Sequence, residues 1–189
     1  MSSRRGQLVI VSGPTASGKS TLWRRLVSHP QVRFSVSATT RAPRKNEVDG
    51  RDYHFVDDAR FDQMIEQGEL IEWAEVHGRR YGTPRGPVVD AIDAGYDVVL
   101  EIDVQGAVSL RDSGLPTISI FVAPPSREEL EQRLRARGTE TEEQMARRLT
   151  IVDQEMEAAR EYDHVVVNDD LERMIDEVET LLNLQPFEG

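Results

Sequence analysis

The sequence predicts an α/β fold, a parallel sheet flanked by helices and interrupted by two insertions. Three observations predict it. Four short apolar runs, 8–11, 98–100 leading to Ile102, 118–122 and 165–167, are rich in β-branched residues and bounded by polar or turn residues. Such runs suit strands buried on both faces of a parallel sheet. Helical patterns fall between them, and strand–helix alternation implies an α/β architecture. The alternation fails over 34–83, which therefore reads as an inserted mixed α+β lobe.

Taken in order, 18–29 predicts a helix that Pro30 ends. Within 34–83, segments 52–56, 70–76 and 79–81 predict short strands, and 59–67 a single helix. A helix over 84–94 stops at Gly95. The helix over 126–137 opens with a capping box, Ser126 to Glu129, and closes at Gly138. Thr141 and Gln144 form a second box, opening a long helix to about Glu161, and 170–184 is the last helix. One unit, 1–189, thus divides into a core (1–33, 84–125 and 162–189), the lobe 34–83 and an arginine-rich helical insertion, 126–161. Two lobes on one sheet predict closure around two ligands.

Composition narrows the function. Apolar residues make up 38% of the chain and charged residues 30%, the balance of a soluble protein with a modest core. The net charge of −11 speaks against a general nucleic-acid binder, though a phosphate site needs only local positive charge. The lack of cysteine excludes disulfides, thiolate metal sites and a cysteine nucleophile. The basic start of the chain is followed by no long apolar stretch, so neither a signal peptide nor a membrane span is predicted and a cytoplasmic location is the default. No long heptad pattern fixes an assembly, and a monomer and a homodimer are both compatible.

Gly13, Pro14, Thr15, Ala16, Ser17, Gly18, Lys19 and Ser20 spell G-x-x-x-x-G-K-S between a predicted strand and a predicted helix. Glycines let the backbone wrap an anion, successive N–H groups point inward, and the helix start adds its positive dipole end. Lys19 supplies a mobile charge to the β- and γ-phosphates, Ser20 a hydroxyl to Mg²⁺, and Thr21 follows on the donor side. The sheet is therefore expected to be of the P-loop nucleoside-triphosphate-hydrolase-like kind. Glu101 and Asp103 close the strand from Val98, where a carboxylate reaches Mg²⁺ through water; the same pair would equally cap the next turn.

Several further blocks resemble guanylate kinases. They are 34–44 (FSVSATTRAPR), 47–53 (EVDGRDY), 70–74 (LIEWA), 81–83 (YGT), 101–106 (EIDVQG), 137–143 (RGTETEE) and 168–171 (NDDL). They occur in that family's order and run from about Gly6 to the last helix. The resemblance implies transfer of the γ-phosphate of ATP to GMP with Mg²⁺, the lobe 34–83 binding GMP and 126–161 acting as a lid. It implies that Arg41, Arg44, Tyr53 and Tyr81 hold the GMP phosphate. It implies that Glu72 reads guanine, with Ser37 and Thr83 contacting the base. Asp103 would take both the guanine 2-amino group and the metal, Asn168 would meet the adenine, and Arg133, Arg137 and Arg148 would be lid arginines at the triphosphate. The chemistry agrees: guanidinium forks suit phosphate, and one carboxylate can accept the adjacent N1–H and 2-amino donors of guanine, which adenine lacks. On pattern alone Glu72 is an exposed charge on an alternating strand, and Arg41 and Arg44 are surface charges. Arg135 and Arg147 fall off the shared face and read as solvated.

The family's loop usually reads Gly-Pro-Ser-Gly-x-Gly-Lys; here Thr15 and Ala16 replace Ser-Gly. Ala16 is costly if its position needs positive φ. The string is also similar to the loop of transfer-RNA prenyltransferases, which predicts an RNA-binding surface. A third reading is a guanylate-kinase-like binding module without catalysis. Such modules typically lack a working loop, whereas Lys19 and Ser20 are present here.

Overall fold

Strand β1 (Leu8–Ser12) is buried along its whole length and forms the centre of a five-stranded parallel sheet. The computed structural model describes residues 5–76, 78–102, 104–110, 113–136 and 142–185. The sheet order is β2 (Val32–Phe34), β7 (Asp97–Glu101), β1, β8 (Thr117–Ala123), β9 (His164–Val167). Alternate residues point to opposite faces of each strand. Val9, Val11, Val99, Ile120, Val122 and Val166 therefore meet α1 (Lys19–Leu26) and α7 (Leu171–Leu181). Leu8, Ile10, Val98, Leu100 and Phe121 pack on the other face under α3 (Arg85–Asp93) and α4 (Val104–Leu110). The chain runs to one side of β1 for β2 and β7, and to the other for β8 and β9. The carboxyl end of β1 is thus a topological switch point, where such sheets bind ligands.

Between β2 and α3 lies a second, four-stranded sheet, ordered β4 (His54–Phe55), β3 (Ala38–Thr39), β6 (Arg79–Pro84), β5 (Leu70–Val76). Helix α2 (Asp58–Glu66) covers it, and Phe61, Met64, Ala38 and Leu70 make a small core of its own. Helices α5 (Arg127–Ala136) and α6 (Glu142–Ala158) share another, built from Leu130, Leu134, Met145, Leu149 and Val152.

The elements depart from the sequence reading in places with local causes. Strand β2 was not anticipated, because only three residues pair and Arg33 between Val32 and Phe34 is exposed. Helix α4 was not anticipated either; it is seven residues long and contains Gly106, a poor helix former. The first helix begins at Lys19 because Gly18 has φ 108°, outside helical space. The strand expected over 52–56 narrows to two paired residues. The long helix breaks at Ala158 into a 3-10 turn, Ala159–Glu161. Helix α3 stops as read: Gly95 (φ 91°) donates to Ile92 O and Tyr96 N to Ala91 O, a Schellman ending. Asn183 (φ 52°) ends α7 in the same way, earlier than 184. The Ser126 hydroxyl accepts from Glu129 N at 3.1 Å, as its capping box requires, while Thr141 of the second box lies outside the described residues.

Candidate active site

The glycine-rich loop 13–20 leaves the carboxyl end of β1 and enters α1. Gly13 (φ 139°) runs so close to β8 that a Cβ there would lie 2.3 Å from Val122 O. Gly18 abuts the Asn168 side chain, whose Nδ2 donates to Ser17 O at 2.7 Å. Asn168 is therefore committed to holding the loop from the end of β9, a contact the sequence did not disclose. Ala16 has φ 68°, so the left-handed conformation suspected from the sequence is present at a non-glycine residue. Lys19 Nζ lies among the loop's own carbonyls, 2.5 Å from Gly13 O and 2.8 Å from Pro14 O. Thr21 borders a small hollow of about 160 Å³ with Thr15, Ala16, Gly18, Lys19 and Ser20.

Glu101, at the end of β7, faces this loop. Ser20 Oγ donates to its carboxylate at 3.1 and 3.3 Å, and Trp23 Nε1 also donates to Oε2. Asp103, the other expected metal-side carboxylate, lies outside the described residues. A hydroxyl and a carboxylate are hard oxygen donors, and Mg²⁺ binds through one or two carboxylates plus phosphates and water. Ser20 and Glu101 together supply a donor set that fits Mg²⁺ carried by a nucleotide.

A cavity of about 950 Å³ joins Gly13, Lys19 and Ser20 to the second sheet, where Ser37, Arg44, Tyr53, Glu72 and Tyr81 line it. Glu72 is buried, at 8% exposure, beside an irregular register between Leu70 and Trp73. Thr83, fully buried on β6, donates Oγ1 to Glu72 Oε1 at 2.6 Å. The exposed-charge reading of Glu72 is thereby excluded, and Trp73 takes the outward position instead. Tyr53 and Tyr81 meet edge to face, 5.9 Å between centroids. Burial pushes the Tyr53 hydroxyl above the ordinary tyrosine value.

Arg41 and Arg44, the two arginines expected at the acceptor phosphate, are not equivalent. Arg44 borders the cavity, whereas Arg41 makes a two-pronged pair with Glu47, at 2.9 and 3.0 Å, and donates to Ala42 O. Those three bonds use three of its five donors. Glu47 also accepts from Arg44 N at 2.7 Å, and with Arg41 this holds its carboxyl below the ordinary range. The Glu47 bond raises Arg41 in turn.

On the helical side, Arg133 donates Nη2 to Asn168 O at 3.1 Å and pairs with Glu129. Arg148 Nη1 stands 3.4 Å from Thr15 Oγ1. Arg148 therefore reaches the loop itself and Arg133 reaches Asn168, which holds the loop, while Arg137 lies outside the described residues. Arg135 and Arg147 pair with Glu131 and Glu143 on the surface, as their spacing indicated.

A family model described as guanylate kinase matches residues 5–185. The chain belongs to the guanylate kinase family. It is 54% identical to the guanylate kinase of Nocardia farcinica over 171 residues, 89% of either chain. It is 51% identical to that of Nitratidesulfovibrio vulgaris over 93% of this chain and 85% of the other. The crystal structure of guanylate kinase from Anaplasma phagocytophilum is similar at a TM-score of 0.73 and 37% identity, covering 96% of this chain and 86% of that one. The expected fold, a P-loop parallel sheet flanked by helices, is the family's. A match across nearly the whole chain leaves the prenyltransferase reading of the loop without support.

Three residues beside this cavity were given no role from the sequence: Trp23, Phe34 and Glu47. Trp23 follows Ser20 by three positions, which places both on one helix face, and that spacing was the available signal. Phe34 stacks on the Trp23 ring at 4.2 Å between centroids, a contact no local pattern announces. Among the described residues no helix is long and apolar enough to cross a membrane.

Proposed function

We infer that this chain transfers the γ-phosphate of ATP to GMP, giving ADP and GDP, with Mg²⁺ accompanying the donor. The observation that carries the reading is the cavity joining the phosphate loop to the buried Glu72–Thr83 pair. The loop residues 13–21 bind the triphosphate, and Ser20 and Glu101 hold the metal side, with Asp103 two positions after Glu101. Mg²⁺ would neutralise developing charge on the β- and γ-oxygens. Lys19 leaves its loop carbonyls for the phosphates, and Arg133, Arg137 and Arg148 add positive charge from the helical insertion, which serves as a lid. Arg44, Arg41, Tyr53 and Tyr81 orient the GMP phosphate, one oxygen of which attacks the γ-phosphorus. The bond from that phosphorus to the β–γ bridging oxygen breaks, and ADP leaves with the electron pair. No covalent enzyme intermediate is needed, since positioning and electrostatics supply the catalysis.

Guanine selection rests on Glu72, oriented by the Thr83 hydroxyl, with Ser37 nearby. Its carboxylate accepts the N1–H and 2-amino donors of guanine; adenine would leave it buried and unmatched. Sites of this kind reject analogues lacking the hydrogen bond by about 10⁴-fold. ADP release measured with GMP, AMP, CMP and UMP tests both parts. GMP should exceed the others by about 10³-fold or more in kcat/KM. Turnover of none sinks the kinase reading, and equal turnover sinks the role of Glu72.

A further inference from the structure

We propose that Trp23 is a positioning residue that fixes the Glu101 carboxylate for the metal accompanying the donor nucleotide. The proposal rests on the kinase reading above for the identity of that nucleotide. Ser20 and Trp23 are one turn apart on α1 and present their donors to the same carboxylate. The two donors differ in kind. A serine hydroxyl can rotate, and its oxygen lone pairs can turn to a metal. The indole N–H only donates, in one direction set by the ring. Trp23 Nε1 therefore holds Oε2 of Glu101 whichever way the Ser20 hydroxyl turns, and leaves the rest of the carboxylate facing the loop.

The ring is itself held. Phe34 stacks on it at 4.2 Å and 21°, and Arg24 Cζ lies 5.3 Å from its centroid. Phe34 is the last residue of β2, where the chain passes into the second sheet. One side chain thus links the metal-side carboxylate to the root of the acceptor lobe. A merely apolar residue at position 23 could fill the space against Phe34 but could not donate to Glu101.

Calorimetry with ADP as probe, in Mg²⁺ and in EDTA, tests this. Trp23→Phe should weaken binding of MgADP about ten-fold or more while changing metal-free ADP less than two-fold, a split expected from losing one hydrogen bond to a charged group. In a Glu101→Gln background the same change should have no further effect on MgADP. Equal weakening with and without Mg²⁺, additive effects in the double variant, or no effect would overturn the proposal. A second measurement does not depend on that variant folding. The chain has two tryptophans, so Trp73→Phe leaves Trp23 as the sole indole. Its emission should change on adding Mg²⁺ to the ADP complex, and an unchanged spectrum counts against the proposal. Turnover of GMP with MgADP binding unchanged in Trp23→Phe overturns this inference alone. The expected coupling without turnover of any monophosphate overturns the kinase reading alone.

Discussion

Glu47 shows how much of the cavity wall on the second-sheet side is decided by one carboxylate. It ties Arg41 to the backbone of Arg44, so one carboxylate sets the stance of both arginines. Its carboxyl is held below the ordinary range, chiefly by the Arg41 hydrogen bonds. The sign of the pH dependence follows. A group with a depressed folded pKa stabilises above its unfolded value, about 4.3 for glutamate, and that stabilisation is lost as pH falls through the lowered value. Glu47→Gln should therefore melt lower than the parent at neutral pH, with the gap closing below about pH 4. Melting curves of both proteins across pH 3 to 7 check this, and a gap independent of pH would refute it. The sequence displayed Arg41 and Arg44 but not the difference between them. Arg44-x-x-Glu47 reads as four solvated positions until the turn brings the carboxylate back onto both arginines.

At the scale of elements, the apolar runs disclosed four of the five strands of the central sheet, because burial on both faces demands continuous hydrophobicity. Strand β2 and helix α4 escaped because each is short and carries a residue that argues against it, Arg33 and Gly106. The phosphate loop was legible in full, yet its two unusual letters acquire a meaning only from packing. Ala16 sits at φ 68° and packs its methyl against the apolar core shared by α5 and α6. An alanine in that conformation costs about 1–2 kcal/mol. Glycine would relieve this strain while adding roughly 0.5–1 kcal/mol of unfolded-chain entropy to be lost. Ala16→Gly should thus leave the overall melting temperature within about 3 °C, and should loosen the contact between loop and helices. Amide exchange along α5 and α6 would report it: faster exchange is expected there, with β1 and β8 unchanged. Exchange that stays the same in α5 and α6 would show that the methyl contributes nothing to their docking.

At the scale of the whole molecule, the two halves of the cavity rest on different cores. The donor loop grows from the five-stranded sheet, and Glu72, Thr83 and Tyr81 belong to the smaller sheet with its own buried cluster. The chain's net charge of −11 would repel two polyanionic nucleotides, so the local cations must act where each phosphate sits. Lys19 hydrogen-bonds Gly13 and Pro14 of its own loop, among other contacts, and the proposed function gives it the donor phosphates. Lys19→Ala should therefore leave GMP binding within about three-fold and reduce transfer by about 10²–10³-fold, the scale seen when a charge-stabilising donor is removed. Calorimetry with GMP and single-turnover transfer from ATP measure the two quantities separately. If GMP binding falls in step with transfer, the halves are not independent, and the lobe 34–83 must depend on the loop for its binding-competent form. If binding holds and transfer fails, the second sheet recognises its nucleotide unaided, and the loop acts only once both ligands share the cavity.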